Sequence, residues 1–493
     1  MGRSPASSSA NNACTGSPAQ PDSPRQPGRR RPTVASLWTT GPEWLPTLYS
    51  FSVDATGVLA GAVLVSAGVA VTVAAAARAK HAAPVVVAFV THLVIGCGIY
   101  LQVGFYSQDA TQYDQVARWY VAYWQHAISA PPTFAAGKEG WVLILGGVYS
   151  AFGAYPLLGI IFNAILTPIT TALVMTTTSR LGWERHARRA GWLMLLPNFL
   201  LWSSLLLRES LAWMLTAMAA WAAAGLIKRG GAKNSAWLLT AMAGMLWVRG
   251  TLAAVMAAGL ISGILAARKR MPPSLIVAMM ALLLAGGPVV AQLDKVSGSI
   301  SFDQTNLARQ SLSTAGSGFE TTSYSDPASM IRSLSNTFPR VLFGPYPWEL
   351  PGLPPLTIMD LLPWLFLGWA AWRGWRMAEG RGRMLVALPA LALLTVIAAT
   401  AGNYGSMVRL RTTVAVLLVP LAARGLERRA KTWPEPSTAD GPQLATLVVR
   451  QASPGARSGT SPRRPSRDPQ LGPGRQLRRQ SHLRPTAQQA ADP

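Results

Sequence analysis

The feature that most limits this chain is a series of apolar runs, each close to the length of a membrane crossing, joined by short turns rich in arginine. The runs cover 57–77, 84–104, 157–178, 190–207, 211–227, 236–248, 251–267, 274–293, 356–372, 384–401 and 412–423. A helix needs about 20 apolar residues to cross the hydrocarbon core, and fewer if it is bounded by buried polar groups. A helix satisfies all of its backbone groups within its own segment, which is what lipid demands. The pattern predicts an all-α, polytopic integral membrane protein with about 11 transmembrane helices and loops on the outer face. With 13% charged residues and a mean hydropathy of +0.25, the composition points the same way.

Basic residues follow alternate runs. Arg78 and Lys80 follow the first, Arg180, Arg185, Arg188 and Arg189 the third, and Lys228, Arg229 and Lys233 the fifth. Arg268 to Arg270 and Arg373 to Arg383 continue the series. Such alternation marks the cytoplasmic loops. It predicts a multi-pass plasma-membrane protein with the C-terminus inside and the N-terminus outside. Loops 105–155 and 294–354 then share the outer face.

The multi-span domain is expected over 46–430, between tails at 1–45 and 431–493 rich in Ser, Pro and Arg. Such tails cannot bury enough apolar surface to offset their ordering entropy, so both are expected to be disordered. The first thirty residues lack the pattern of a secretory signal. The net charge of +24 resides mostly in these tails and in the turns. No basic groove or recognition motif accompanies it, so no nucleic-acid partner is expected. Cys14 and Cys97 fall in a polar tail and an apolar run, which argues against a disulfide. His81, His92, His126, His186 and His482 are scattered and predict no transition-metal site. No phosphate-binding glycine loop is present.

The acids of the multi-span domain are few, and two stand just after the second run. Asp109 and Asp114 lie five residues apart in a stretch rich in Tyr and Trp. An acid held beside a membrane span can accept a proton from a hydroxyl. It can also cap a helix, and Ser107 or Asp109 is placed to start one through 113–123. No cofactor is implied with certainty; a divalent cation, if used, would take oxygen ligands of this kind. Asp303, Glu320, Asp326 and Glu349 are weaker candidates in the long loop.

Arginines at the outer ends of the runs break the charge rule. Arg208, Arg249, Arg340, Arg409 and Arg411 are so placed. A guanidinium forms paired hydrogen bonds to phosphate oxygens and keeps its charge. The bland reading is snorkelling, or an ion pair such as Arg208 with Glu209. Phe343-Gly-Pro-Tyr-Pro-Trp-Glu349 offers Tyr346 and Trp348 for stacking on a sugar or for anchoring at the interface. Asn403-Tyr-Gly-Ser-Met-Val-Arg-Leu-Arg411 is read as a polar turn between the last two runs.

The order of these elements resembles a known family. An acid after an early span is followed by Gly140-Trp-Val-Leu-Ile-Leu-Gly-Gly-Val-Tyr-Ser-Ala-Phe-Gly153, Asn163, a basic turn, and Leu196-Pro-Asn-Phe-Leu-Leu-Trp-Ser-Ser-Leu-Leu-Leu-Arg-Glu209. This is similar to the GT-C superfamily of membrane glycosyltransferases that use polyprenyl-phosphate sugars, family 39 included, best over 84–226. The resemblance implies Asp109 as the base. Many members carry an Asp-Glu pair there, where this chain has Asp109-Ala110, so the second catalytic acid is missing or replaced by Asp114. It implies a polyprenyl-phosphate-linked sugar donor and a glycan, lipid or protein acceptor. Arg208, Arg249, Arg409 and Arg411 would hold the phosphate, Glu209 and Arg340 would join them in binding substrate, and Trp348 would line the sugar site. Two other readings stay open. A polysaccharide polymerase or ligase would use lipid-diphosphate-linked oligosaccharides and lean on the arginines. A transporter or flippase would use the spans without the chemistry.

Overall fold

The computed structural model describes residues 54–105, 107–132, 139–267, 327–350, 356–379 and 381–427, with 306, 309, 310, 313, 318, 319, 323 and 325. The expected tails, the run 274–293, Asp303, Glu320 and Asp326 lie outside the described residues. The helical unit ends at Arg428, and 429–493 form a second unit that also lies outside them.

The described residues are helical apart from turns and one isolated bridge between Gly318 and Asn403. In chain order the helices are α1 (Ala55–Arg78), α2 (Ala82–Val103), α3 (Gln108–Trp124), α4 (Glu139–Phe152) and α5 (Pro156–Arg180). Two short helices follow, α6 (Ala187–Leu193) and α7 (Pro197–Ser203). Then come α8 (Glu209–Arg229), α9 (Ala232–Ala267), α10 (Pro327–Phe343), α11 (Leu356–Met377), α12 (Met384–Thr400) and α13 (Tyr404–Gly425). Six of them, α1, α2, α5, α8, α9 and α13, are long and apolar enough to cross a membrane. The multi-span, all-helical expectation therefore stands in outline; the described residues do not establish the count of about eleven.

The ends of the bundle are fixed by contacts. Lys80 Nζ lies 2.6 Å from Glu184 Oε1, and Arg180 Nη1 donates to Trp221 O at 2.8 Å. Arg373 Nη2 donates to Glu427 O at 3.2 Å. The basic turns after α1, α5, α8, α11 and α13 thus gather at one end. At the other end Asp54 caps α1 by accepting from Gly57 N at 2.8 Å, and the Tyr155 hydroxyl donates to it at 2.5 Å. The Tyr155 bond, with help from the Gly57 amide, holds the Asp54 carboxyl below its ordinary value.

Two departures from a plain helix position the site. The first corrects the expected span 190–207. This segment is broken into α6 and α7, because Pro197 lacks the N–H that would continue a helix through it. A second interruption, over 204–208 between α7 and α8, leaves carbonyls without helical donors inside the bundle. Asn163, fully buried on α5, donates through Nδ2 to Leu205 O at 2.8 Å and Leu207 O at 2.9 Å. Irregular backbone at membrane depth survives where protein groups satisfy it in this way.

The second departure is in α9. At 36 residues a straight helix would reach about 54 Å, far beyond a hydrocarbon core of about 30 Å. It does not run straight: Arg249 leaves the helical region, at φ −153° and ψ 73°. Before it, the limb packs antiparallel on α8, with Trp237 against Trp221 and Gly244 against Leu215. After it, the chain runs back along α12, with Gly259 on Pro389 and Gly263 on Leu385. Added Cβ atoms at Gly259 and Gly263 would stand 2.4 and 2.9 Å from the α12 backbone, so no larger residue fits there without displacing it. The two limbs correspond to the runs 236–248 and 251–267, with Arg249 at their turn.

The segment expected as an interfacial or re-entrant helix is α4. Trp141, Val142, Leu145 and Tyr149 bury one face of it. Gly140 lets its backbone approach Trp247, beside the α9 turn.

Candidate functional site

The site forms where α3, α8, α9 and α13 meet, at the end opposite the basic turns. Gly104, at φ 69°, ends α2 in a conformation that glycine tolerates, and the chain re-enters a helix at Gln108. Ser107 caps α3, its hydroxyl accepting from Ala110 N at 3.2 Å. The capping duty open to both Ser107 and Asp109 thus belongs to Ser107. Asp109 stands in the first turn of α3, where the exposed amides favour an anion.

Asp109 Oδ2 lies 2.6 Å from Arg409 Nη2 of α13. Arg409 Nε in turn stands 3.8 Å from Glu209 Oε1, at the start of α8. The same Glu209 oxygen takes a short hydrogen bond from Arg249 Nη2 at the turn of α9. Arg208 sends Nη1 to Val248 O at 2.9 Å. Neighbouring residues on a helix point about 100° apart, and Glu209 turns inward to Arg249.

Burial grades the group. The side chains of Glu209 and Arg249 are 1% and 5% exposed, while Arg409 and Asp109 are 17% and 26% exposed. Asp109 is the acid that a solvent-side molecule can reach. Glu209 Oε2 and Arg249 Nε are buried without hydrogen-bond partners among the described residues. Tyr113, one turn after Asp109 and 2% exposed, faces Arg208, Glu209, Asp109 and Arg249, and burial raises its phenol above the ordinary value. Sequence reasoning passed over Tyr113. Its i,i+4 spacing from Asp109 on a helix was the available signal.

Other expected site residues fall elsewhere. Asp114 is separated from Asp109, because five residues on an α-helix turn about 140°. It is 3% exposed and accepts from Arg118 Nε at 2.8 Å and Tyr149 OH at 2.6 Å, tying α3 to α4. Arg411 also leaves the group. It is two residues from Arg409 and so lies on a different face of α13. Its Nη2 pairs with Asp360 at 2.9 Å, and its Nη1 donates to Gly344 O at 2.7 Å. That pair is almost wholly buried and joins α11 to α13.

Arg340 pairs with Glu349 at 2.8 Å, and Glu349 also accepts from Tyr346 N at 2.8 Å and from the Tyr404 hydroxyl. This second knot sits at the first residue of α13, about 7.5 Å along the axis from Arg409. Trp348 is 75% exposed, its ring stacked on Tyr346 at 4.9 Å.

No three or more His, Cys, Asp or Glu residues gather to hold a metal among the described residues. Asp109 and Asp114 point to different partners and do not form a shared pair. Comparison with models of protein families, with curated proteins and with solved structures gives no match for this chain.

Proposed function

We propose that this chain is a GT-C-like membrane glycosyltransferase. It takes a sugar from a polyprenyl-phosphate donor and passes it to a glycan, lipid or protein acceptor at the outer face of the plasma membrane. One observation supports this reading. A reachable carboxylate, Asp109, lies 2.6 Å from Arg409, in a group that also holds Arg208 and Arg249 at the same end of the bundle. A base and a set of phosphate-binding cations are what such a transfer requires of a protein.

In this reading the acceptor hydroxyl gives its proton to the Asp109 carboxylate as its oxygen attacks the anomeric carbon. The bond from that carbon to the phosphate oxygen breaks. Polyprenyl phosphate leaves with the bonding pair, and the arginines balance the charge that gathers on its oxygens. Asp109 then returns the proton to water. The transfer needs no electron source.

The test is transfer of radiolabelled sugar from polyprenyl-phosphate donors in membranes holding the wild-type chain or Asp109→Asn. Transfer by the wild type that falls at least about 100-fold in the variant supports the assignment. A stably made Asp109→Asn chain with full activity would sink it. Transfer only from diphosphate-linked oligosaccharides would favour a polymerase.

A further inference from the structure

α2 carries one histidine, His92, midway along its length and 3% exposed. An ionisable side chain at that depth marks a polar interior, because lipid solvates it poorly. Its Nδ1 lies 2.6 Å from Ala88 O, a distance that needs a hydrogen between them. The neutral ring has one such N–H, so Nε2 is left with a bare lone pair. Nε2 has no hydrogen-bond partner among the described residues.

His92 lines a small cavity beside the break between α6 and α7, where Met194 and Phe199 form part of the wall. Thr167 and Thr170 of α5 and Ser210 of α8 line it too. Their hydroxyls donate to Ala164 O, Leu166 O and Ser203 O, so what each offers the cavity is lone pairs. Trp213 of α8, on the same wall, has the opposite need: its Nε1–H is buried without a partner among the described residues. A molecule that gives two hydrogens and accepts one suits this wall. The cavity has about 10 Å³ in which the centre of a water can lie, which is room for one water and nothing larger. No described residue of the wall is an acid, so a cation of that size would lie there uncompensated.

We infer that this cavity is a binding site for one ordered water. The water gives one hydrogen to His92 Nε2 and the other to a threonine or serine oxygen, and it accepts from Trp213 Nε1. It fills the gap beside the broken crossing and joins α2 to α5 and α8 through hydrogen bonds that lipid cannot supply. Neither the water nor its partners enters the transfer reading above.

The experiment is radiolytic footprinting of the full chain in lipid nanodiscs. An X-ray pulse splits a bound water where it sits, and the hydroxyl radical oxidises the nearest susceptible side chain. A methionine thioether is such a target. Met194 lines the cavity and is 4% exposed, while Met175 and Met245 are 0% exposed and serve as references. In the wild type Met194 is expected to be oxidised faster than both. His92→Phe keeps a ring in place without its nitrogens and is expected to bring Met194 down to the reference rate. If that chain does not fold, Trp213→Phe removes the spare N–H and is expected to do the same. Met194 oxidised no faster than Met175 and Met245 in the wild type overturns the site. So does a faster rate that survives unchanged in either folded variant.

Discussion

Arg409 touches Asp109 at 2.6 Å and reaches toward Glu209 at 3.8 Å, so one guanidinium spans the reachable and the buried carboxylate of the site. Arg409→Lys keeps the charge but cannot span both acids with one planar fork. Transfer is expected to fall about tenfold in Arg409→Lys and about a hundredfold in Arg409→Gln, by an effect of the size seen when one donor to a developing negative charge is lost. Steady-state transfer at saturating acceptor checks this. Equal activity in both variants would mean that charge alone matters.

Asp109 and Asp114 are expected to separate cleanly. Asp114 bonds Arg118 and Tyr149 between α3 and α4, and Asp109 faces the arginines. Asp114→Asn is expected to lower the thermal midpoint in detergent while activity per folded molecule stays within about threefold of wild type, since substitutions outside the chemistry act mainly through stability. A loss of turnover in folded Asp114→Asn would return that acid to the site.

Asn163 is expected to matter for stability more than for turnover. Asn163→Leu leaves the Leu205 and Leu207 carbonyls buried without their donor, which costs about 1–3 kcal/mol. Chemical denaturation in detergent measures the loss, and Asn163→Ser is not expected to recover it because its side chain is too short to reach both oxygens. An unchanged midpoint would mean that the broken crossing is satisfied by other groups.

Asp360 and Arg411 are expected to show the asymmetry of a buried ion pair. Breaking it from one side, by Asp360→Leu or Arg411→Met, leaves an uncompensated buried charge at a cost of about 3–5 kcal/mol. The double replacement is expected to recover much of that loss. Strictly additive single effects, measured by the same denaturation series, would show that the pair is not coupled.

Much of this architecture was legible in the runs themselves, since lipid leaves the backbone few options. α1, α2, α5 and α8 fall close to runs read from hydropathy alone, and both limbs of α9 match separate runs; α13 begins at Tyr404, so 404–411, read as a polar turn, is instead its first two turns, capped by Asn403. The segment 190–207 misled because its apolar content says nothing about continuity. The irregular backbone at its C-terminal end is made tolerable by Asn163, a residue far away in sequence. Asp109 could be found because an acid beside a span stands out. Asp114 could not be set apart from it until Ser107 fixed where α3 begins and thus which way each side chain turns. Arg409 and Arg411 look equivalent in the sequence, and the helix sends them to opposite duties. Asp360, a lone acid within an apolar run, was the unheeded signal for where Arg411 goes.

The turn at Arg249 ties mechanics to chemistry. The residue that lets α9 double back is also the residue whose guanidinium Glu209 grips. Spreading the two limbs would pull on a buried charge pair. The turn that sets the length of each limb therefore also fixes where the Arg249 guanidinium meets the Glu209 carboxylate.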